Sequence, residues 1–252
     1  KTTVLSINEK GYYSSINVEG KEILRSGSFP LITVCYENKL IEPSQIEVKG
    51  HELRIKMQDG EIVRLKYSES PTSVALEVTS IPAKYEAILY GPLIVNINEV
   101  VGDVIGVVQG NGVAFGMQSL NIKTNAGIPQ EYADQVIAKY GYKGAEAVLS
   151  VRTTPVSQLA ASDIGNGAVM QFSCRKRDKL QNMDGMNMEN SMVTQLTGSD
   201  AIITGSKIAF FGCKAEGALA IIGAIEMEKG LPHHRLAGEW GKTSRAAMRS
   251  YQ

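Results

Sequence analysis

Histidine, cysteine and tryptophan are all scarce in this 252-residue chain, at three, three and one. The shortage of imidazoles leaves only His51, His233 and His234 for acid–base or metal chemistry. The cysteines, Cys35, Cys174 and Cys213, are odd in number and far apart. They have no C-x-x-C spacing, which excludes zinc and dithiol redox motifs. Each sits among apolar or small residues and reads as a small buried hydrophobe. Aromatic residues make up 6% of the chain, which counts against a strong binder built on aromatic platforms. Charge of either sign is not in excess, with 26 Lys and Arg against 26 Asp and Glu. Such a balance gives no footprint for nucleic acid or an anionic membrane. The one basic cluster, Arg175-Lys176-Arg177, is followed at once by Asp178 and reads as a solvated strand end. No apolar run reaches transmembrane length. A signal peptide is missing, but the chain opens on Lys1 without Met, which reads as a mature or trimmed start that leaves export open.

What the chain does have is length and β-branched residues. A chain of this size buries roughly 70–75% of its unfolded surface, so its core needs neither disulfide nor metal. The run Tyr90 to Thr124 is dense in Val and Ile and broken by Gly, and reads as consecutive buried strands. Val104 to Val108 and Val113 to Met117 flank Asn111-Gly112. That pair tolerates the positive φ of a hairpin turn, so a hairpin is expected here in the middle of a sheet. Gly102, Gly106 and Gly116 mark a bulge, a bend or a close backbone approach. A curved β core ranks ahead of a ligand groove, because only Glu99, Asp103 and Lys123 in this run are ionisable.

The first ninety residues alternate like an antiparallel meander. Thr3 to Ile7, Tyr12 to Val18, Glu22 to Leu24 and Leu31 to Tyr36 are strand-like, with a tight turn at Glu19-Gly20. From Ile46 to Val78 apolar residues recur every second position, and charged residues fill the gaps. That period puts one side in the core and the other in water. Asp59-Gly60 is a hairpin signal. Short strands with turns at near-regular spacing argue for a sandwich over alternating βα units.

Further on, Pro129 to Tyr140 reads as a short helix with Gly141 behind it and Tyr132, Val136 and Tyr140 along one face. Ala147 to Arg152, Ala168 to Cys174 and Lys207 to Phe211 read as strands. Gln181 to Met192 is polar and aperiodic. It is expected to be an exposed loop, and a calcium reading ranks below that because ordered EF-hand spacing is missing. A substantial helix is expected over about Lys214 to Lys229. Its stripe is Ala218, Leu219, Ile222 and Ile225, widened by Ala215 and Ile221, and it closes at Gly230 and Pro232. The expected fold is therefore all-β: a mainly antiparallel two-sheet sandwich or supersandwich with one substantial C-terminal helix and a short mid-chain one. Residues 1–231 form the sandwich domain, and 232–252 a linker.

Several motifs fail on their requirements. Gly241-Lys242-Thr243 resembles a P-loop end, but the required upstream glycine position holds Leu236. Neither a G-x-S-x-G elbow nor a G-x-G-x-x-G fingerprint occurs. Glu226 and Glu228 lie two apart on the expected helix, face different ways and make a poor catalytic pair. One cluster has chemical potential: His233, His234, Arg235, Glu239 and Trp240. An indole beside hydrogen-bonding side chains can hold a sugar ring. Docking of the linker on a following domain, anchored by Trp240, ranks ahead of that reading. Trp240 is expected to be partly exposed beside His233 or Arg235. No catalytic residue, metal site or cofactor is assigned.

Tyr90 to Thr124, YGPLIVNINEVVGDVIGVVQGNGVAFGMQSLNIKT, and Gly205 to Tyr251, GSKIAFFGCKAEGALAIIGAIEMEKGLPHHRLAGEWGKTSRAAMRSY, together resemble a family of large secreted carbohydrate-active enzymes of gut Bacteroidetes. In that family such a region is similar to an N-terminal galactose-mutarotase-like supersandwich. The resemblance implies a following (β/α)₈ glycoside hydrolase barrel in the same polypeptide and a periplasmic or extracellular setting. It also implies a polysaccharide-processing context with glycan as a possible contact, and it supplies no catalytic residues, since no His and Glu set maps onto a mutarotase site. The leading expectation is a non-catalytic module that braces or completes the cleft of a catalytic domain. A free-standing carbohydrate-binding module and a complete mutarotase- or lyase-like enzyme are the alternatives.

Overall fold

A computed structural model of the protein describes residues 2–71, 73–103, 105–142, 156–176 and 202–217. The chain forms a mainly antiparallel β-sandwich. It opens with a small sheet of three strands, β1 (Thr3–Ile7), β2 (Tyr13–Val18) and β3 (Lys21–Glu22). The β2–β3 turn falls at Glu19 and Gly20, both at positive φ. The hairpin β4 (Thr33–Tyr36) and β5 (Lys39–Ile41) starts a second sheet. Then β6 (Pro43–Lys49), β7 (Glu52–Met57), β8 (Ile62–Glu69) and β9 (Ser73–Ser80) run as a meander, half of an eight-stranded third sheet.

The long strand β10 (Ala87–Val95) crosses back to the second sheet and pairs β4. Next, β11 (Val100–Gly102), β12 (Val107–Gly110) and β13 (Val113–Ser119) return to the third sheet. The second sheet is completed by β14 (Asn125–Ala126), β15 (Ala161–Asp163) and β16 (Ala168–Arg175), the last pairing along β10. Finally β17 (Lys207–Lys214) inserts between β13 and β9 and joins the two halves of the third sheet. The expected meander is thus shared among three sheets: two large ones face each other, and the small one packs over an end.

The core lies between the large sheets. Ile88 and Tyr90 of β10 share it with Ile55, Leu65, Val78, Phe115 and Phe210 of the third sheet. Phe210 stacks on Phe115 at 6.3 Å and meets the edge of Tyr13 at 6.3 Å. In β7 and β8 the alternation is as expected: Leu53, Ile55, Val63 and Leu65 are buried, and Arg54 and Arg64 face outward to pair with Glu47 at 3.3 Å and Glu52 at 2.7 Å. In β6 it fails, because Val48 is 60% exposed. That strand is the edge of the eight-stranded sheet, and its end carries exposed positions on both sides of Val48.

Both hairpin signals hold. Gly60 sits at φ 88°, and Asn111 and Gly112 at 53° and 73°. The β12–β13 hairpin lies nearer one edge of the sheet than its middle, and its first strand starts at Val107 where Val104 was expected. Gly106 is the close approach anticipated in this run: at φ 65°, a side chain there would come within 2.4 Å of the Met117 carbonyl. The mid-chain helix α1 spans Gln130–Tyr140, with Pro129 at its N-cap and left-handed Gly141 at its C-cap. Lys214 ends β17, and a 3-10 turn covers Ala215–Gly217, so a helix starting at Lys214 is corrected at its first four positions. The remainder of that expected helix, the expected strand at 147–152 and the loop at 181–192 lie outside the described residues. No helix among the described residues is long and apolar enough to cross a membrane.

Candidate functional site

Glu42 lies between β5 and β6, directly before Pro43, and is 7% exposed. A carboxylate so placed needs partners, since an unpaired buried charge costs several kcal/mol. Three donors reach it from distant parts of the chain. Tyr140 Oη donates to Oε1 at 2.6 Å and Tyr12 Oη to Oε2 at 3.0 Å. Lys139 Nζ lies 2.9 Å from Oε1.

Local sequence explains each placement. Tyr12 leaves the β1–β2 turn, where Asn8 Oδ1 accepts the Lys10 and Tyr12 amides in an Asx-type turn. Gly11 at φ 87° lets that turn pass against Pro43. Lys139 and Tyr140 occupy the last turn of α1, where a cation complements the helix dipole. The helix is held by buried Tyr132, Ala133 and Val136. A Tyr132–Glu86 hydrogen bond and the 2.6 Å Arg175–Glu131 ion pair add to this. Phe29 stacks on Tyr140 at 6.3 Å and 30°.

These groups border a cavity of about 360 Å³, which Arg25, Ser26, Ser28 and Ile94 also line. Its size falls at the small end of ligand sites. Burial alone would raise the Glu42 carboxyl. Hydrogen bonds from Tyr140 and Lys139, the Lys139 charge and the Tyr12 hydrogen bond outweigh it and hold the group below the usual carboxylate range. The Tyr12 hydroxyl is pushed up to about 12 by burial, then by the charge and hydrogen bond of Glu42. The Tyr140 hydroxyl is raised by burial first and Glu42 second.

An ionised carboxylate with three donors has no proton to give and little basicity to offer. Glu42 is also the sole carboxylate among the described lining residues, whereas glycoside hydrolysis uses two. The arrangement can bind and orient; it is not built for general acid–base work.

A second cluster has a structural role. Tyr85 Oη donates to both Asp59 oxygens at 2.8 and 3.0 Å, and Lys84 bridges Asp59 at 2.9 Å and Glu61 at 3.1 Å. This ties the β7–β8 turn to the segment before β10. Inside the sandwich, Tyr90 Oη, Ser206 Oγ and Thr124 Oγ1 form a buried chain with 2.8 Å links.

His51 is exposed beside the Tyr67 ring, and Cys35 and Cys174 are buried as expected. Cys213 is half-buried, a correction that follows from its place near the end of β17. Arg175 and Lys176 sit at the end of β16 and are tied to Glu131 and to the Ala83 carbonyl. His233, His234, Arg235, Glu239 and Trp240, and Glu226 with Glu228, lie outside the described residues. Sequence reading missed the Glu42 cluster. The signal available was a single acidic residue closing the apolar pair Leu40-Ile41 before a proline. No group of three His, Cys, Asp or Glu that could hold a metal occurs among the described residues. No family model, curated protein or solved structure matches the chain.

Proposed function

We propose that this chain is a non-catalytic β-sandwich module of a polysaccharide-processing glycoside hydrolase. It braces, or completes the cleft of, a (β/α)₈ catalytic barrel in the same polypeptide, in a periplasmic or extracellular setting. The observation that carries the reading is the state of Glu42. The one carboxylate among the described residues of this cavity is ionised and consumed by Tyr12, Lys139 and Tyr140. The sandwich itself fits a rigid brace, and the resemblance of Tyr90 to Thr124 and Gly205 to Tyr251 supplies the enzymatic context. Sequencing the gene beyond the codon for Gln252 tests it. A continuing frame that encodes a barrel is expected, and a stop codon there would refute the bracing role.

The same cavity favours a second reading, a carbohydrate-binding module. Tyr12, Phe29 and Tyr140 offer apolar faces, and Arg25, Ser28 and Lys139 offer donors, the mixture a sugar needs. Titration of oligosaccharides into the whole chain separates the two. Binding weakened at least about tenfold, 1.4 kcal/mol, by Phe29→Ala or Arg25→Ala supports this second reading. Absence of binding across the panel removes it.

A further inference from the structure

The cavity beside Glu42 holds a charge that its own contacts leave unmatched. Glu42 and Lys139 face each other at 2.9 Å and cancel. Arg25 is the remaining ionised group among the described lining residues. Ion pairs among the described residues fall on Arg54, Arg64, Lys84, Lys139 and Arg175, and Arg25 is in none of them. Its side-chain partner there is neutral: Nη1 donates to Asn166 Oδ1 at 2.8 Å, in the turn between β15 and β16. A guanidinium carries five N–H donors and stays charged at any ordinary pH, so most of this fork is unused. The chain as a whole balances 26 Lys and Arg against 26 Asp and Glu, so the excess positive charge is local to the cavity.

The loop that presents Arg25 is fixed at both ends. The Arg25 amide donates to the Ile94 carbonyl at 3.0 Å, near the end of β10, and the Phe29 carbonyl accepts the Tyr13 amide at 2.9 Å. Between these ties, Ser26 and Ser28 are exposed and line the cavity. A side chain at Gly27 would come within 2.7 Å of the Phe29 ring. The glycine thus lets the loop approach that ring, which is itself stacked on Tyr140. Tyr12 and Tyr140 donate their hydroxyl hydrogens to Glu42, which leaves both oxygens as acceptors.

We propose, resting on the carbohydrate-binding reading of this cavity, that its ligand is an acidic sugar whose carboxylate is taken by Arg25. A carboxylate accepts two parallel N–H bonds from a guanidinium fork, a geometry that lysine cannot offer. The sugar ring packs on the aromatic wall of Phe29 and Tyr140, where its C–H face meets an apolar surface. Its hydroxyls both donate and accept, and so match the serine hydroxyls and the tyrosine oxygens. A neutral sugar leaves the guanidinium charge unmatched, and a cationic one is repelled by it.

The test titrates the whole 252-residue chain with oligogalacturonate and oligoglucuronate, and with the methyl esters of the same oligosaccharides, which keep the ring and lose the charge. The acid forms should bind at least about tenfold tighter than their esters, and the difference should shrink as salt is raised. Arg25→Gln should abolish the difference and Arg25→Lys should keep part of it, with the Tm of both variants within about 2 °C of the parent. Acid and ester bound equally well would overturn the proposal and leave the carbohydrate reading standing. So would a preference for the acid that survives Arg25→Gln. A sulfated neutral oligosaccharide bound at least as tightly as the uronate would also overturn it, since the site would then read any anion. Absence of binding by acid, ester and neutral oligosaccharides alike would remove both.

Discussion

Tyr140 and Glu42, 98 residues apart in the chain, are joined by a 2.6 Å hydrogen bond that fastens the end of α1 to the junction of β5 and β6. The bond is charge-assisted and largely shielded from water, so it belongs to the stronger class. Tyr140→Phe should destabilise the chain by about 1–3 kcal/mol, and Glu42→Ala by at least as much because it leaves Tyr12, Tyr140 and Lys139 facing an empty site. Urea unfolding monitored by tyrosine fluorescence measures both. A change below about 0.5 kcal/mol in either would make the cluster energetically idle.

Part of this was readable from residues alone. Strands β7 and β8 were, because one face meets water and the period of two survives; so were the turns at Gly60 and Asn111-Gly112, whose positive φ few residues tolerate. Val48 misled because alternation does not say which strand is the edge. The Glu42 cavity was not readable at all. Its members come from a turn, a loop, a strand and a helix end, and no spacing rule links Tyr12, Glu42 and Tyr140.

Acid should reveal the same carboxylate. The folded-state pKa of Glu42 is depressed, burial being outweighed by Tyr140, Lys139 and Tyr12. That of Asp59 is also depressed, burial there being outweighed by Lys84 and Tyr85. A depressed carboxylate contributes stability that is present above its unfolded value, about 4, and lost as pH falls through the folded value. Stability should therefore fall below about pH 4.5, and Glu42→Gln should flatten that acid limb. A parallel, merely displaced pH profile for Glu42→Gln would contradict this.

Gly106 offers a backbone test. Its φ of 65° and the 2.4 Å approach of the Met117 carbonyl leave no room for a methyl group. Gly106→Ala should cost about 1–3 kcal/mol from strain, read as a lower Tm with unchanged β-type circular dichroism. A stabilised variant would mean that the β11–β12 turn relaxes freely.

Val48 supplies the opposite case. At 60% exposure on the edge strand, its replacement by Lys should change stability by no more than about 0.5 kcal/mol and should reduce any edge-to-edge association. A loss of about 2 kcal/mol, the scale of a buried valine, would mean that this edge is covered in solution.

The central claim is that the sandwich assists a glycosidase without performing the chemistry. The most direct measurement is hydrolysis by the purified 252-residue chain across a panel of plant and mucin glycans, with Glu42→Gln alongside. The account predicts no product above the buffer control for either protein. Turnover by the parent chain that disappears in Glu42→Gln would contradict it and make Glu42 a catalytic residue.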